Sequence, residues 1–176
     1  MNARAGWGRL AASMDQDNAN RIEVITLDEA TVIARNEEIE KEREVALRDL
    51  VEDNFFRPIR ASDNGHAGPW RVHLEVVEGM LAWHMKDGEG VEVGTIGLGM
   101  ARMRRAIRDY FAICDSYYKA LRRASAQEIE TIDMARRGIH DRGTRHLLDA
   151  LEGKVETDFE TARRLFTLIC VLHIKA

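Results

Sequence analysis

WRVHLEVVEGMLAWHMK, residues 70–86, is the stretch whose reading decides the fold. Two strand-like runs, Trp70–Val77 and Met80–Lys86, flank Glu78-Gly79. A two-residue connection ending in glycine is the signal of a tight hairpin. Such a turn pairs Val77 with Met80. Counting outward, Val76 faces Leu81, Leu74 faces Trp83 and Val72 faces Met85. All six are apolar, so this register gives the ribbon one continuous apolar face. The other face receives Glu75 opposite Ala82, His73 opposite His84 and Arg71 opposite Lys86. A slip of one residue would turn the apolar set outward, so the register is strongly specified.

Working outward, Val91–Leu98 (VEVGTIGL) reads as a third strand, weakened by Gly94 and Gly97. Upstream, Arg21–Asp28 (RIEVITLD) is β-branched and alternating. It places Ile22, Val24 and Thr26 on one side and Glu23, Ile25 and Leu27 on the other. Between them, Asn36–Asp53 carries Ile39, Ala46, Leu47, Leu50 and Val51 at helical spacing. Asn36 is a candidate cap, and Glu37, Glu38 and Glu40 suit the positive end of the helix dipole. Pro58 disfavours helix at Arg57, and 59–68 reads as a loop.

After Gly99 every pattern is helical. Met100–Arg123 carries Met103, Ile107, Tyr110, Phe111, Cys114, Tyr117, Tyr118 and Leu121 on one stripe. Ser125-Ala126-Gln127-Glu128 fits a capping box that opens a helix through Ile129, Ile132 and Met134. A short helix with Leu147, Leu148 and Leu151 follows, closed by Gly153. Thr157-Asp158-Phe159-Glu160 fits a second capping box. The helix it opens has almost no polar face, which predicts central burial. These elements give an α+β fold: a small, mainly antiparallel sheet of strands 21–28, 70–77, 80–86 and 91–98, packed on helices, with an all-helical C-terminal half. Residues 1–20 read as a mobile tail and 21–176 as a single domain.

The 176 residues are 45% hydrophobic and 32% charged, too apolar for a disordered chain. The two cysteines, Cys114 and Cys170, lie on apolar helix faces and read as buried thiols in a reducing compartment. The N-terminal stretch lacks the apolar run of a secretory signal, and the longest apolar run, LICVL at 168–172, is far too short for a membrane span. A cytoplasmic protein without membrane contact is expected. A net charge of −4 gives no global drive toward nucleic acid. The charge is unevenly spread, however. Residues 29–53 hold nine acidic and four basic side chains, whereas 99–145 hold eleven basic and six acidic ones.

The segments DYFAICDSYYKAL, EIETIDMARRGIHDRG and TARRLFTLICVLHI, with EREVALRDLVEDNFFRP and GPWRVHL before them, resemble an uncharacterised, UPF-type protein family of alphaproteobacteria. The resemblance covers roughly residues 36–174. The chain departs from it in a longer N-terminal tail and in Ala135, where glycine is expected. The resemblance implies a cytoplasmic bacterial protein. It implies no activity and transfers no catalytic residue.

Function therefore rests on a few clusters. In DMARRGIHDRG, residues 133–143, Gly138 can close a helix in the left-handed conformation, with Ile139 folding back onto Met134. Arg136 and Arg137 would then sit in the last turn, and Asp141 would cap the next helix. His140 and Arg142 have no such explanation, and the alternative is an anion site. In GTIGLGMARMRRAIRDY, Arg102, Arg104, Arg105 and Arg108 crowd a helix start, where each cation opposes the dipole by a few tenths of a kcal/mol. That calls for a counter-charge: the acidic 36–53 helix or a phosphate. Gly94, Gly97 and Gly99 match neither the dinucleotide fingerprint nor a P-loop. The facing His73 and His84, with Glu75, offer too few ligands for a metal, and neither metal nor cofactor is expected. His173 reads as packed or solvated. Neither Ser116 nor Cys114 has the glycine-flanked elbow of a hydrolase.

The leading expectation is a non-enzymatic binding or adaptor protein. Its anion-binding surface would use Arg104, Arg105, Arg108, Arg136, Arg137, His140 and Arg142. The partner would be a phosphorylated ligand, RNA or an acidic protein surface. The alternatives are an enzyme acting on a phosphorylated small molecule, with His140 as general acid or base and Arg136, Arg137 and Arg142 positioning the phosphate, and a homo-oligomeric structural protein.

Overall fold

The hairpin at 70–86 forms in the register its alternation requires: Val77 pairs with Met80, Val76 with Leu81, Leu74 with Trp83 and Val72 with Met85. This is seen in a computed structural model that describes residues 18–30 and 37–172. Glu78 and Gly79 both have positive φ, 50° and 78°, the backbone of a turn that follows the natural twist of the strands. Leu74, Leu81 and Trp83 are fully buried, as the apolar face demands.

The elements in chain order are β1 (Ile22–Leu27), α1 (Glu37–Glu52), β2 (Phe56–Pro58), β3 (Trp70–Val77), β4 (Met80–Lys86), β5 (Glu92–Gly99), α2 (Ala101–Arg123), α3 (Ala126–Leu151), β6 (Val155–Thr157) and α4 (Phe159–Leu172). The main sheet runs β1-β3-β4-β5. β1 lies parallel to β3, with α1 in the crossover that parallel neighbours require, and the other pairs are antiparallel. The fold is α+β, with a mainly antiparallel sheet and a helical C-terminal half.

In β1 the register shifts between Ile22 and Val24. The bulge turns the following residues over, so Ile22, Ile25 and Leu27 are buried while Val24 and Thr26 are exposed. Simple alternation had put Ile22 on the same side as Val24. The helices cover the apolar face of the sheet. α4 is the centre of the core: Leu165, Phe166, Leu168 and Ile169 have no exposed surface. Phe56 stacks on Trp83 with ring centroids 6.2 Å apart. Cys114 and Cys170 are buried free thiols.

Three expectations fail. First, 133–143 is not a joint between helices. It lies within one continuous helix, α3, of 26 residues. Gly138 and Gly143 are both helical, and neither is among the residues with positive φ. Met134 is 63% exposed, so Ile139 does not fold back onto it, and Asp141 caps nothing. Gly143 serves packing instead. A Cβ there would lie 2.1 Å from Phe166 Cζ, so the missing side chain is what lets α4 approach.

Second, Phe56–Pro58 and Val155–Thr157 form a separate antiparallel ribbon, β2–β6, where the sequence pattern shows only a helix end and a cap. Third, that pairing moves the start of α4 by one residue. Thr157 stays in β6 and donates its hydroxyl to Phe55 O, 2.7 Å away. The cap is Asp158, whose Oδ1 accepts from Thr161 N at 2.7 Å. The capping box at Ser125 and Glu128 is present as read.

The proposed cap Asn36, His173 and residues 1–17 of the tail lie outside the described residues. Asn20, at the end of the expected tail, accepts a backbone hydrogen bond from Phe56 N, 2.9 Å. Among the described residues no helix is long and apolar enough to cross a membrane.

Candidate functional site

Four helices meet around a cleft of about 680 Å³, within the size range of small-molecule sites. One wall comes from α1. Its residue Glu42 is half-buried and gathers three partners: Tyr118 donates its hydroxyl at 2.7 Å, Tyr110 donates at 3.1 Å, and the Arg136 guanidinium lies 3.6 Å away. The acidic helix thus does meet arginine, through Glu42 to Arg136 and through Glu38 to Arg122 (3.8 Å), but not at the crowded start of α2. Burial and the Glu42 carboxylate push both tyrosine hydroxyls well above their ordinary pKa, so they remain protonated donors.

Arg136 is fully committed. Its Nε and Nη2 donate to Asp133 Oδ1 at 3.1 and 2.8 Å, and its charge lies 4.6 Å from the centre of the Tyr117 ring. Those contacts lock the guanidinium in place rather than leave it free for a ligand. Arg137, one residue on, is more than half exposed and has Asp133 at 3.1 Å as its salt-bridge partner.

His140 sits one helical turn further along α3 and is only 6% exposed. Its Nε2 lies 2.8 Å from Thr167 Oγ1 on α4. Its ring meets Tyr110 and Phe166 edge-on, at 4.9 and 5.3 Å. Burial, reinforced by the charges of Arg163 and Arg136, lowers its pKa to about 4, so the imidazole is neutral at ordinary pH. Its Nδ1 is buried without a hydrogen-bond partner.

α4 completes the cleft with Arg163, Arg164 and Thr167. Arg163 has only distant carboxylates, Asp141 and Glu160, each at 3.9 Å. Arg164 donates to Asp53 O at 2.6 Å. Sequence reasoning missed these two cations. The available signal was the pair Arg163-Arg164 interrupting an otherwise apolar helix.

Of the residues singled out in the sequence, Arg136, Arg137 and His140 therefore share one cleft. Arg104, Arg105, Arg108 and Arg142 are not on its wall; all four are exposed elsewhere. His73 and His84 do face each other across β3 and β4, with ring centroids 6.2 Å apart. Each has its own neighbour. His73 Nδ1 is 2.7 Å from Thr26 Oγ1, and His84 Nε2 is 2.7 Å from Glu75 Oε1. Among the described residues no group of three or more His, Cys, Asp or Glu is arranged to hold a metal.

The pattern of a family described as "Uncharacterised protein family (UPF0262)" matches residues 19–175 of the chain. A UPF0262 protein of Erythrobacter litoralis is 59% identical over 156 residues, covering 89% of this chain and 98% of that protein. One of Novosphingobium aromaticivorans is 58% identical over 159 residues, covering 88% and 97%. One of Bradyrhizobium sp. (strain ORS 278) is 49% identical over 159 residues, covering 90% and 93%. No solved structure shows significant similarity to the chain.

Proposed function

We propose that this chain, which belongs to the uncharacterised protein family UPF0262, is a cytoplasmic, non-enzymatic binding protein whose helical cleft takes a small phosphorylated ligand. The observation that carries the reading is the convergence of Arg137 with Arg163 and Arg164 around one cleft walled by tyrosines. Arg163 is weakly paired, and the exposed Arg137 shares its one carboxylate, Asp133, with Arg136, so both can turn their planar guanidinium groups onto a phosphate. Arg136 and Glu42 hold the wall in shape. Lys41, Arg136, Arg137, Arg163 and Arg164 are nearly balanced by Glu38, Glu42, Asp49 and Glu160, which suits one phosphate better than a polyphosphate chain. Ala46, Val45 and Leu121 give the rest of the ligand an apolar surface. The two buried free thiols are consistent with a reducing compartment.

One observation favours the enzymatic alternative: His140 stands on the cleft wall. Against it, a pKa of about 4 leaves His140 without a proton to donate at neutral pH and makes it a weak base. The test is calorimetric titration with a panel of phosphate monoesters. Binding by the intact protein that is lost in Arg137→Ala with Arg163→Ala supports the proposal. Binding that the double variant retains rejects the site. Turnover of a bound ester that disappears in His140→Gln replaces the binding reading with the enzymatic one.

A further inference from the structure

The arginines that the cleft leaves out form a surface of their own. α2 buries Met103, Ala106, Ile107, Tyr110 and Cys114 on one side. Arg102, Arg104, Arg105 and Arg108 occupy the opposite arc and are all exposed. Among the described residues no carboxylate lies within ion-pair distance of Arg102, Arg104 or Arg108, and Arg105 has only Asp109 at 3.9 Å. Arg104 is propped against the β3–β4 turn: a Cβ at Gly79 would be 2.9 Å from its Nη2. α3 adds to the same end. Contact between Tyr110 and His140 sets the level of the two antiparallel helices. At that level α3 carries the exposed Arg142 and Arg145. Four exposed arginines thus crowd the first two turns of α2, in a chain whose net charge is −4.

We infer that this face docks on the phosphodiester backbone of double-stranded DNA, independently of the cleft. Three features choose this partner. Mutual repulsion and the opposed helix dipole leave the cluster unsatisfied at rest, and a polyanion relieves both. A protein partner needs apolar anchors, and this arc has none: the exposed large hydrophobics near it, Val77 and Met80, lie at the hairpin tip. A single strand needs aromatic platforms for its bases, and among the described residues none of the exposed large hydrophobics is aromatic. Arginine forks on a regular backbone need neither. Contacts to the phosphates alone carry no sequence information, so binding of this kind is indifferent to sequence.

Fluorescence anisotropy with a labelled 20-base-pair duplex tests this. Four phosphate contacts give a slope of log affinity against log salt of about −3.6, so affinity falls roughly 150-fold between 50 and 200 mM salt. Arg105→Ala with Arg108→Ala removes about two contacts and cuts that fall to roughly 12-fold. Arg137→Ala, which disables the cleft, leaves duplex binding unchanged. Circular dichroism confirms folding, since both substituted side chains are solvent-exposed. No duplex binding at 50 mM salt, or an unaltered slope in the double variant, overturns the proposal. So does equal binding of polyglutamate, which points to an acidic protein, or tighter binding of single-stranded RNA.

Discussion

Gly138 and Gly143 lie five residues apart in one helix, and the same substitution at each should have opposite effects. In Gly143→Ala, the new methyl would sit 2.1, 2.5 and 2.6 Å from three atoms of the Phe166 ring. Ordinary carbon contacts are 3.5–4.0 Å, so the ring must retreat by more than an ångström. It has nowhere to go: Phe166 is fully buried, with the rings of His140 and Tyr110 centred 5.3 and 6.2 Å away. Overpacking of this kind costs about 1–3 kcal/mol, and three simultaneous overlaps place it near 3. Alanine recovers about 1 kcal/mol of helix propensity. The net loss is about 2 kcal/mol, or roughly 4–8 °C in Tm for a chain of this size. Around Gly138 a Cβ meets nothing within 4 Å, and the residue is exposed. Gly138→Ala therefore gains about 1 kcal/mol and raises Tm by roughly 2–4 °C. Urea unfolding followed by circular dichroism at 222 nm reads both, at unchanged m-value. A loss of stability in Gly138→Ala would falsify the continuous helix, because a left-handed helix end penalises alanine. A gain in Gly143→Ala would show that Phe166 is not wedged against the glycine.

The buried imidazole of His140 makes stability depend on acid. With a folded pKa of about 4 against an unfolded value near 6.5, the unfolded chain binds a proton that the folded one refuses. Stability from this residue is complete above pH 6.5, declines as pH falls toward 4, and the loss reaches about 3 kcal/mol. Urea midpoints at several pH values should flatten in His140→Gln; an unchanged profile contradicts the burial argument. His84 acts in the opposite sense. Although burial opposes it, hydrogen bonds to Glu75 and Glu92 raise its pKa, so its contribution is present at low pH and lost as pH rises through that raised value. His84→Gln should therefore steepen the acid decline. Glu42→Gln removes the charge that faces Arg136 and receives two tyrosine hydroxyls; it should cost about 1–2 kcal/mol. An unchanged urea midpoint would show that this network does not brace the cleft.

What could be read in the sequence was local. The hairpin register follows from an alternation of period two across a turn only two residues long, and the Ser125–Glu128 box spans a single helical turn. What was missed depends on residues far apart in the chain. A glycine inside a helical pattern signals either an end or a close approach, and only the arrival of Phe166 from α4 distinguishes them at Gly143. β2 and β6 are three residues each, too short to show a period, and they find each other across the whole middle of the chain. That pairing also recruits Thr157 and passes the cap to Asp158. For the cleft, the arginines of α3 stood out in the sequence. Their neighbours Arg163, Arg164 and Thr167 did not, because each meets the site only through the packing of α4 against α3.

The burial of α4 also sets an order of events during synthesis. Every strand of the main sheet and three of the described helices precede Phe159–Leu172 in the chain, yet its buried side chains belong to the same core as theirs. Until that segment leaves the ribosome, the core to which Leu50, Trp83, Ile107 and Leu147 belong lacks Leu165, Phe166, Leu168 and Ile169. The β2–β6 clasp must wait too, because closing a loop of about a hundred residues costs roughly 4 kcal/mol before any contact repays it. The growing chain can make its hairpin and its first long helices early, but its core stays unfilled until α4 arrives. A nascent chain stalled ahead of residue 159 is therefore a natural client for chaperones, and slow translation through this stretch prolongs its exposure.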